Sequence, residues 1–579
     1  MIIQPQTAEQ TAIKKGLRSF LSNLVYAAIA SLLFAASFPN LIFTNGLALL
    51  AWIAYVPVFM LVRRISFAAS FFWGALYGYS AYGLFNYWLS VFHPLAGLIV
   101  GSIYLVYLAL LFPILHLAAA AFPRRGYLVQ WVIWMAYEYA RTLGFLGYSY
   151  GITGYSQWNT LPVIQIASVT GVWGVSALVV FPSAWLAAAL SGPGEQGLGN
   201  RDYHLNPDPR SPIPDPRSLL FGSWPKIKAF FKREWLSAAI WLVFLSVSLV
   251  YGFVSPIDYS GERKVKTALI QHNTDPWQPA KAATAALAFE EYRKDFRILR
   301  RLSDEAMAAH PDTDLVVWSE TAFVPRIYWH TVIRDDRVSW DLVKELLDYL
   351  AKQEIPFVIG NDDARKDPAL NPRFDNRVDY NAAMLFERGE LISSYRKLHL
   401  VPFTEHFPYE KQLPWIYNAL KKADTHFWEK GKDVTVFNTN GIKFSTPICF
   451  EDTFGYLSRN FVKNGAELIV NLSNDAWSTS LPAQMQHLSM AVFRTVENRR
   501  AMVRSTASGQ TCGIDPNGKI LAMAEAFTES ALVVEVPLVS GETIYTRYGD
   551  YLGKVFAAAG LFLLIICISS CILKRLPEK

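Results

Sequence analysis

Apolar and polar positions divide the chain into two unlike parts. Residues 20–190 run almost continuously apolar and aromatic, whereas residues 260–550 alternate short apolar runs with polar stretches. A helix needs about 20 mostly apolar residues to cross a hydrocarbon core, and about eight stretches meet that length. They lie at 20–38, 44–62, 67–90, 96–121, 127–146, 161–190, 236–255 and 552–573, and the sixth has room for a span plus an interfacial or re-entrant piece. The organisation expected from this pattern is a membrane domain over 1–255, a polar domain over 256–550, and a C-terminal transmembrane helix over 551–579.

Within the polar part the pattern is that of an α/β layered domain. "KTALIQHN", "TDLVVWSE", "IPFVIGND" and "AELIVNLSND" are apolar runs that end in polar residues, as buried strands do when their functional groups emerge at the ends. Helical patterns occupy 285–309 and 484–500 between them. "FERGELISSY", "VFNTNGIKF" and "GIDPNGKIL" carry Gly-containing turns between apolar runs and predict hairpins. Strands alternating with helices, plus antiparallel hairpins, define layered α/β architecture. Nearly 300 residues suffice to bury its own core.

Composition and charge sharpen this picture. Charged residues make up 18% of the chain and hydrophobic residues 52%, against about 25% charge in soluble domains. Basic residues cluster between the apolar stretches: Lys14, Lys15 and Arg18; Arg63 and Arg64; Arg124 and Arg125; Lys226, Lys228, Lys232 and Arg233; Lys574 and Arg575. With eight crossings all of these fall on one face, the cytoplasmic one by the positive-inside rule. Both termini are then cytoplasmic and 256–550 lies across the membrane. The net charge of +6 is accounted for by these loops, so it implies no nucleic-acid partner. The polar lead before the first stretch is long for a cleaved signal peptide. Residues 191–235 form a cytoplasmic linker whose Pro- and Gly-rich part, with "DPRS" twice, cannot build a core.

Four cysteines occur. Cys567 and Cys571 sit one helical turn apart in the last apolar stretch, where they read as packing residues. Cys449 and Cys512 lie in the exported part, where an oxidising compartment would allow a disulfide. Neither belongs to a paired Cys/His arrangement of the zinc type.

Three strand ends carry reactive groups. Glu320 closes "DLVVWSE", Lys397 lies in "YRKLHLVPFTEHFP", and Cys449 closes "KFSTPICF" before a helix expected near Glu451. Singly, each has an ordinary structural explanation: a capping carboxylate, a solvated lysine, a buried small hydrophobe. In this order and context the trio resembles the nitrilase superfamily, whose αββα sandwich carries such a Glu–Lys–Cys triad. The resemblance runs through 265–537 and includes "NLSNDAW" at 471–477 and "VENRRAMVRSTASG" at 496–509. With the membrane part included, the chain resembles the apolipoprotein N-acyltransferase family, also through "EYARTLGFLGYSYGITGYSQ" at 138–157. It departs from the family at Ser478 and Thr479, where Phe-Gly usually follows the "NDAW" motif, and in its longer linker.

The resemblance implies a polytopic helical membrane domain joined to a nitrilase-like sandwich. It implies an enzyme of the bacterial inner membrane that moves an acyl chain from a phospholipid, such as phosphatidylethanolamine, to a diacylglyceryl apolipoprotein. Glu320 would be the base, Cys449 the nucleophile, and Lys397 with the Phe450 N–H the oxyanion donors; Glu405 would orient the triad, with Glu451 as a further supporting residue. No metal or other cofactor is expected. Among candidate substrate contacts, Asn474 and Trp477 come from the "NDAW" motif. Trp277 lines an acyl pocket or anchors at the interface. Glu138 and Arg141 pair within the bundle or face a lipid headgroup, and the sequence leaves both readings open. Tyr148, Tyr150, Tyr155 and Trp158 read as an interfacial aromatic belt. Two other readings compete: a membrane-tethered amidase of the same superfamily, and a transporter or scaffold carrying a dead hydrolase domain. Against the first stands the multi-span part, and against the second the intact trio.

Overall fold

The computed structural model describes residues 8–92, 94–191, 224–275, 285–333, 336–367, 376–422, 427–476 and 478–573. Trp277, Trp477, most of the expected linker, and Lys574 and Arg575 lie outside the described residues.

Among the described residues, five helices are long and apolar enough to cross a membrane: Gly16–Ser37, Ala96–Ala121, Val172–Ser191, Ile227–Val254 and Tyr551–Ile572. The remaining apolar stretches take other forms. The 44–62 stretch is broken into a 3-10 turn, Ala48–Trp52, and a helix, Val56–Arg64, with Pro57 in its first turn. Proline belongs there because that N–H has no helical partner. The 127–146 stretch yields the helix Gly126–Ala140. The 161–190 stretch forms Leu161–Ile164 and Ala167–Thr170 before Val172–Ser191, with the break at Gly171 in the left-handed region (φ 64°). Helix Phe67–Phe85 packs against Pro94–Ala121 with backbones in contact: a Cβ on Gly74 or Gly78 would overlap the Leu108 or Tyr104 carbonyl. Small residues four apart permit this approach in membranes.

The polar part is a four-layered sandwich. Twelve strands are described: β1 (Lys264–Gln271), β2 (Leu315–Trp318), β3 (Phe357–Lys366), β4 (Arg377–Glu387), β5 (Glu390–Arg396), β6 (Val436–Thr439), β7 (Ile442–Ser445), β8 (Leu468–Ser473), β9 (Ala501–Thr506), β10 (Cys512–Ile514), β11 (Ile520–Met523) and β12 (Ser530–Pro537). One sheet has the order β12-β1-β2-β3-β4-β5 and the other β11-β10-β9-β8-β7-β6. Each has a parallel centre, β1-β2-β3 and β7-β8-β9, flanked by antiparallel strands. All three expected hairpins form, as β4–β5, β6–β7 and β10–β11. Ser505 on β9 ties the sheets together, donating its hydroxyl to the Ile270 and Val317 carbonyls at 3.2 and 3.0 Å.

Helices Ala285–Ala309 and Arg337–Leu350 cover the first sheet through Phe296, Leu299, Leu346 and Tyr349, which pack on Val316, Trp318 and Phe357. Gly455–Lys463 and Leu481–Asn498 belong to the second sheet's outer layer. The latter helix is buried from Pro482 to Asn498, because the membrane domain closes over its far side. Gln486 accepts from the Trp88 indole at 3.0 Å and donates to the Pro39 and Phe85 carbonyls; Arg494 donates to the Tyr155 hydroxyl; Glu497 accepts from the Val172 N–H; Arg499 donates to Gln165. Buried polar groups are kept only when satisfied. This helix therefore fixes the sandwich to the membrane helices.

Candidate active site

Glu320, Lys397, Cys449 and Asn474 all follow the ends of strands: β2, β5, β7 and β8. β5 runs parallel to β2 and β3, being antiparallel to β4, so the first two residues leave their sheet at the same edge. Glu320 can stand there because Gly360 on β3 has no side chain: a Cβ would overlap the Ser319 carbonyl and Glu320 Cα. Cys449 has φ 49°, a left-handed conformation that costs a non-glycine residue of order 1–3 kcal/mol. The helix expected at Glu451 is a 3-10 turn, Cys449–Thr453, followed by Gly455–Lys463. Cys449 and Phe450 open that turn, where backbone N–H groups have no intrahelical acceptor.

Lys397 is completely buried, 0% exposed. Its ammonium donates to Glu320 Oε1 at 3.1 Å and to Glu405 Oε1 at 2.8 Å. Glu320 is held further by the Asn381 amide at 2.8 Å on Oε1 and by the Asn474 N–H at 2.8 Å on Oε2. Glu405 Oε2 accepts the Val401 N–H at 2.8 Å. Burial opposes the charge on Lys397, but Glu320 and Glu405 overcome it and hold the ammonium well above its ordinary range. Burial raises the Glu405 carboxyl, with Lys397 opposing and Glu320 adding to the rise. Burial and then Glu320 push the Cys449 thiol well up, only partly countered by Lys397. The resting sulfur is thus a thiol, with a carboxylate and an ammonium nearby.

Glu451 joins the two loops that carry Lys397 and Cys449. Its Oε1 accepts the N–H groups of Leu398 and His399 at 2.7 and 2.9 Å, and its Oε2 accepts the Ile448 N–H at 2.8 Å. The Tyr395 hydroxyl donates to the same carboxylate at 2.8 Å. Burial outweighs these bonds and brings its pKa to about 7. A second buried network lies beyond Cys449. His487 contacts Asp452 at 2.7 Å and Asp475 at 3.3 Å, and Arg504 on β9 pairs with both aspartates. Burial disfavours the charged imidazole, yet Asp452 carries its pKa up to about 9, against the nearby Arg504. Ser473 donates to Asp475 at 3.0 Å, linking this network to the end of β8.

Sequence reasoning missed Asn381, Tyr395, Asp452, Asp475, His487 and Arg504. The last carried a readable signal, an arginine inside the apolar strand "AMVRST". Glu138 and Arg141 are both buried and turn inward. Glu138 accepts the Thr153 N–H at 3.2 Å and the Thr153 hydroxyl. Arg141 donates to the Tyr104 hydroxyl and to the Tyr148 and Tyr150 carbonyls, over the faces of Tyr82 and Tyr104. There they satisfy backbone, threonine and tyrosine groups of the N-terminal part. The expected aromatic belt is likewise interior: Tyr150, Tyr155 and Trp158 are buried, and Tyr148 stacks on Tyr150 at 4.8 Å. Their polar atoms are claimed by protein partners, Asn86 for Tyr148 and the Asn45 carbonyl for Trp158. All four cysteines are free, so no disulfide joins Cys449 to Cys512.

This two-sheet sandwich with reactive groups at its strand ends is a carbon–nitrogen hydrolase domain, whose family matches residues 266–545; residues 30–185 match the apolipoprotein N-acyltransferase N-terminal domain. The chain is 46% identical to apolipoprotein N-acyltransferase 1 of Treponema pallidum, over 96% of this chain and 97% of the relative. It is 42% identical to apolipoprotein N-acyltransferase 1 of Treponema denticola, over 97% of this chain and 99% of the relative. Among solved structures, Saccharomyces cerevisiae Nit3, a member of branch 10 of the nitrilase superfamily, aligns over 48% of this chain and 90% of its own, with 21% identity and a TM-score of 0.34. The chain belongs to the apolipoprotein N-acyltransferase family. Relatives and apolar helices together make it a membrane protein.

Proposed function

We propose that the protein transfers an acyl chain from a membrane phospholipid, such as phosphatidylethanolamine, to the α-amine of the N-terminal cysteine of a diacylglyceryl apolipoprotein. The acyl group passes through a thioester on Cys449. The observation that carries this reading is a buried lysine bridging two carboxylates beside a protonated thiol.

Glu320 takes the thiol proton as the sulfur attacks the ester carbonyl, since a raised thiol needs a base. Lys397 and the Phe450 N–H stabilise the tetrahedral oxyanion. Its collapse breaks the C–O bond, Glu320 returns the proton to the departing alkoxide, and a lysophospholipid leaves. The incoming amine then attacks the thioester. Its surplus proton passes through Glu320 to the released thiolate, and an amide has formed. Ester and thioester supply the driving force, and neither nucleotide nor metal enters the balance. Asn381 and the Asn474 N–H aim Glu320, Glu405 shares the Lys397 ammonium, and Glu451 keeps the Lys397 and Cys449 loops in register.

Burying acyl chain is worth about 0.8 kcal/mol per CH₂, so drawing a sixteen-carbon chain into water costs on the order of 12 kcal/mol. A catalytic domain held at the bilayer surface avoids that cost. We assign about eight crossings, both termini to the cytoplasm of the inner membrane, and 256–550 to the periplasm, on the basic clusters described above. The five long apolar helices support part of this count.

Incubation with phospholipid alone should add one acyl mass to the peptide containing Cys449, and hydroxylamine should remove it. Cys449→Ala should neither label nor turn over. With a diacylated lipopeptide present, the acyl group should reach the peptide amine. Release as free fatty acid would favour the amidase reading, and acylation at another residue would sink the thioester.

A further inference from the structure

A cavity of about 250 Å³ lies where the sandwich meets the membrane domain, and Glu320, Lys397, Glu405 and Cys449 take no part in its lining. Three polar tips converge on its wall at Gly455. A Cβ there would stand 3.1 Å from Glu497 Oε2 and 3.2 Å from Arg494 Nη1, and would overlap the Tyr545 hydroxyl. Asp550 completes the polar set; Trp173 and Tyr545 both donate to its Oδ1, at 2.8 and 3.0 Å.

The charges do not balance. Arg494 offsets one of the two carboxylates, and His399, also in the wall, is held by burial at a pKa of about 4 and stays neutral. Glu497 Oε1 accepts the Val172 N–H and the Arg494 guanidinium. Its Oε2 is buried, touches the same guanidinium as an ion pair, and accepts no hydrogen bond. Burial holds the Glu497 carboxyl up at about 7, with Arg494 opposing and Asp550 adding to the rise. The remaining wall mixes aliphatic and hydroxyl residues with aromatic ones, among them Tyr139, Tyr155 and Trp173. Aromatic faces attract organic cations. A hard divalent ion favours several carboxylates, and among the described residues no group of three or more His, Cys, Asp or Glu stands ready to hold a metal ion.

The position of the mouth indicates the carrier of that cation. Exposed Leu143 and Tyr456 border it, and Asp550 directly precedes the last membrane helix, Tyr551–Leu573. The opening therefore lies beside the N-terminal end of that long apolar helix, within reach of a lipid headgroup. Its volume is below the ~300–1,000 Å³ of drug-sized pockets and suits a headgroup, not a whole lipid.

We propose that this cavity is a second lipid site, separate from the acyl-transfer centre, which holds the primary ammonium of an aminophospholipid headgroup between Glu497, Asp550 and the aromatic residues of the wall. The test uses full-length protein in detergent and ether-linked phospholipids, which carry no transferable acyl group, so the outcome is independent of the acyl-transfer reading. Native mass spectrometry would count retained lipids with ether-linked phosphatidylethanolamine and, separately, ether-linked phosphatidylglycerol. Asp550→Asn keeps the Oδ1 acceptor and removes the charge. Thr142→Arg places a competing guanidinium in the wall from a half-buried position and leaves both carboxylates intact. Melting temperatures confirm that each variant is folded. Wild type should retain one more ethanolamine lipid than either variant, with affinity at that site lowered roughly tenfold or more, the scale of one charge-assisted contact. Equal retention of phosphatidylglycerol, or undiminished retention of phosphatidylethanolamine in a folded variant, would overturn the proposal.

Discussion

Replacing Lys397 by methionine separates its structural role from its chemical one. The side chain is wholly buried and its ammonium meets Glu320 at 3.1 Å and Glu405 at 2.8 Å. Removing one partner of a buried ion pair costs about 3–5 kcal/mol, because the other charge is stranded. Here two carboxylates would be stranded together, and one can escape by taking up a proton. From the ordinary value of 4.5, protonation at pH 7 costs at most about 3.4 kcal/mol, at 1.36 per pH unit. Burial has already raised Glu405, so Glu405 takes the proton and the loss settles below that bound of about 3.4 kcal/mol. Turnover should fall by about 10²–10³, the cost of one lost oxyanion donor. The double variant Lys397→Met/Glu405→Gln supplies a neutral partner in advance. It should recover most of the stability and none of the activity. Denaturant unfolding in detergent and acyl transfer to a diacylated lipopeptide measure the two quantities. Turnover of Lys397→Met within about tenfold of wild type, or recovery of turnover in the double variant, would refute the oxyanion role.

Glu451→Gln should lower stability by about 1–3 kcal/mol and turnover by tenfold or more, because an amide cannot accept on both sides and leaves a buried N–H of Leu398, His399 or Ile448 unpaired; unfolding and turnover of the purified variant measure both. His487 has a folded pKa of about 9, above its ordinary 6.5, so the stability it contributes is full below about 6.5 and lost as pH rises through 9. The unfolding midpoint of wild type should drop across that window, and that of His487→Asn should change less. Single cysteines introduced in 191–235 should resist a membrane-impermeant thiol reagent in intact spheroplasts, and those at exposed positions in 256–550 should react; the reverse pattern would invert the topology.

Much of the sandwich was legible because its strands are short, apolar and end in polar residues, and each hairpin is marked by a Gly-containing turn. The ends of β2, β5 and β7 could be read as carriers of Glu320, Lys397 and Cys449 for that reason. What local pattern could not show was depth. Lys397, in a segment with two histidines, two prolines and two further charges, reads as solvated, yet it is wholly buried, with Glu405 of its own segment and Glu320 from 77 residues away closing on it. Tyr150 and Tyr155 look like interfacial aromatics, but loop 147–158 folds inward, held by Arg141 and Arg494. Hydropathy also overestimates helix continuity at Gly171 and before Pro57, since apolar residues satisfy the pattern whether or not the backbone runs unbroken. The all-buried helix Leu481–Asn498 reads as amphipathic, because its polar side faces protein in place of water.

That helix bears on how the molecule is made. Gln486, Arg494, Glu497 and Arg499 each bond to one or more of Pro39, Phe85, Trp88, Tyr155, Gln165 and Val172, residues that leave the ribosome hundreds of positions earlier. Translation runs from the N-terminus, so the docking surface is laid down in the bilayer before the helix that needs it is synthesised. A fragment beginning near residue 256 would lack that template and present four polar side chains with part of their bonding missing. The order of the two domains along the gene is therefore itself a folding instruction.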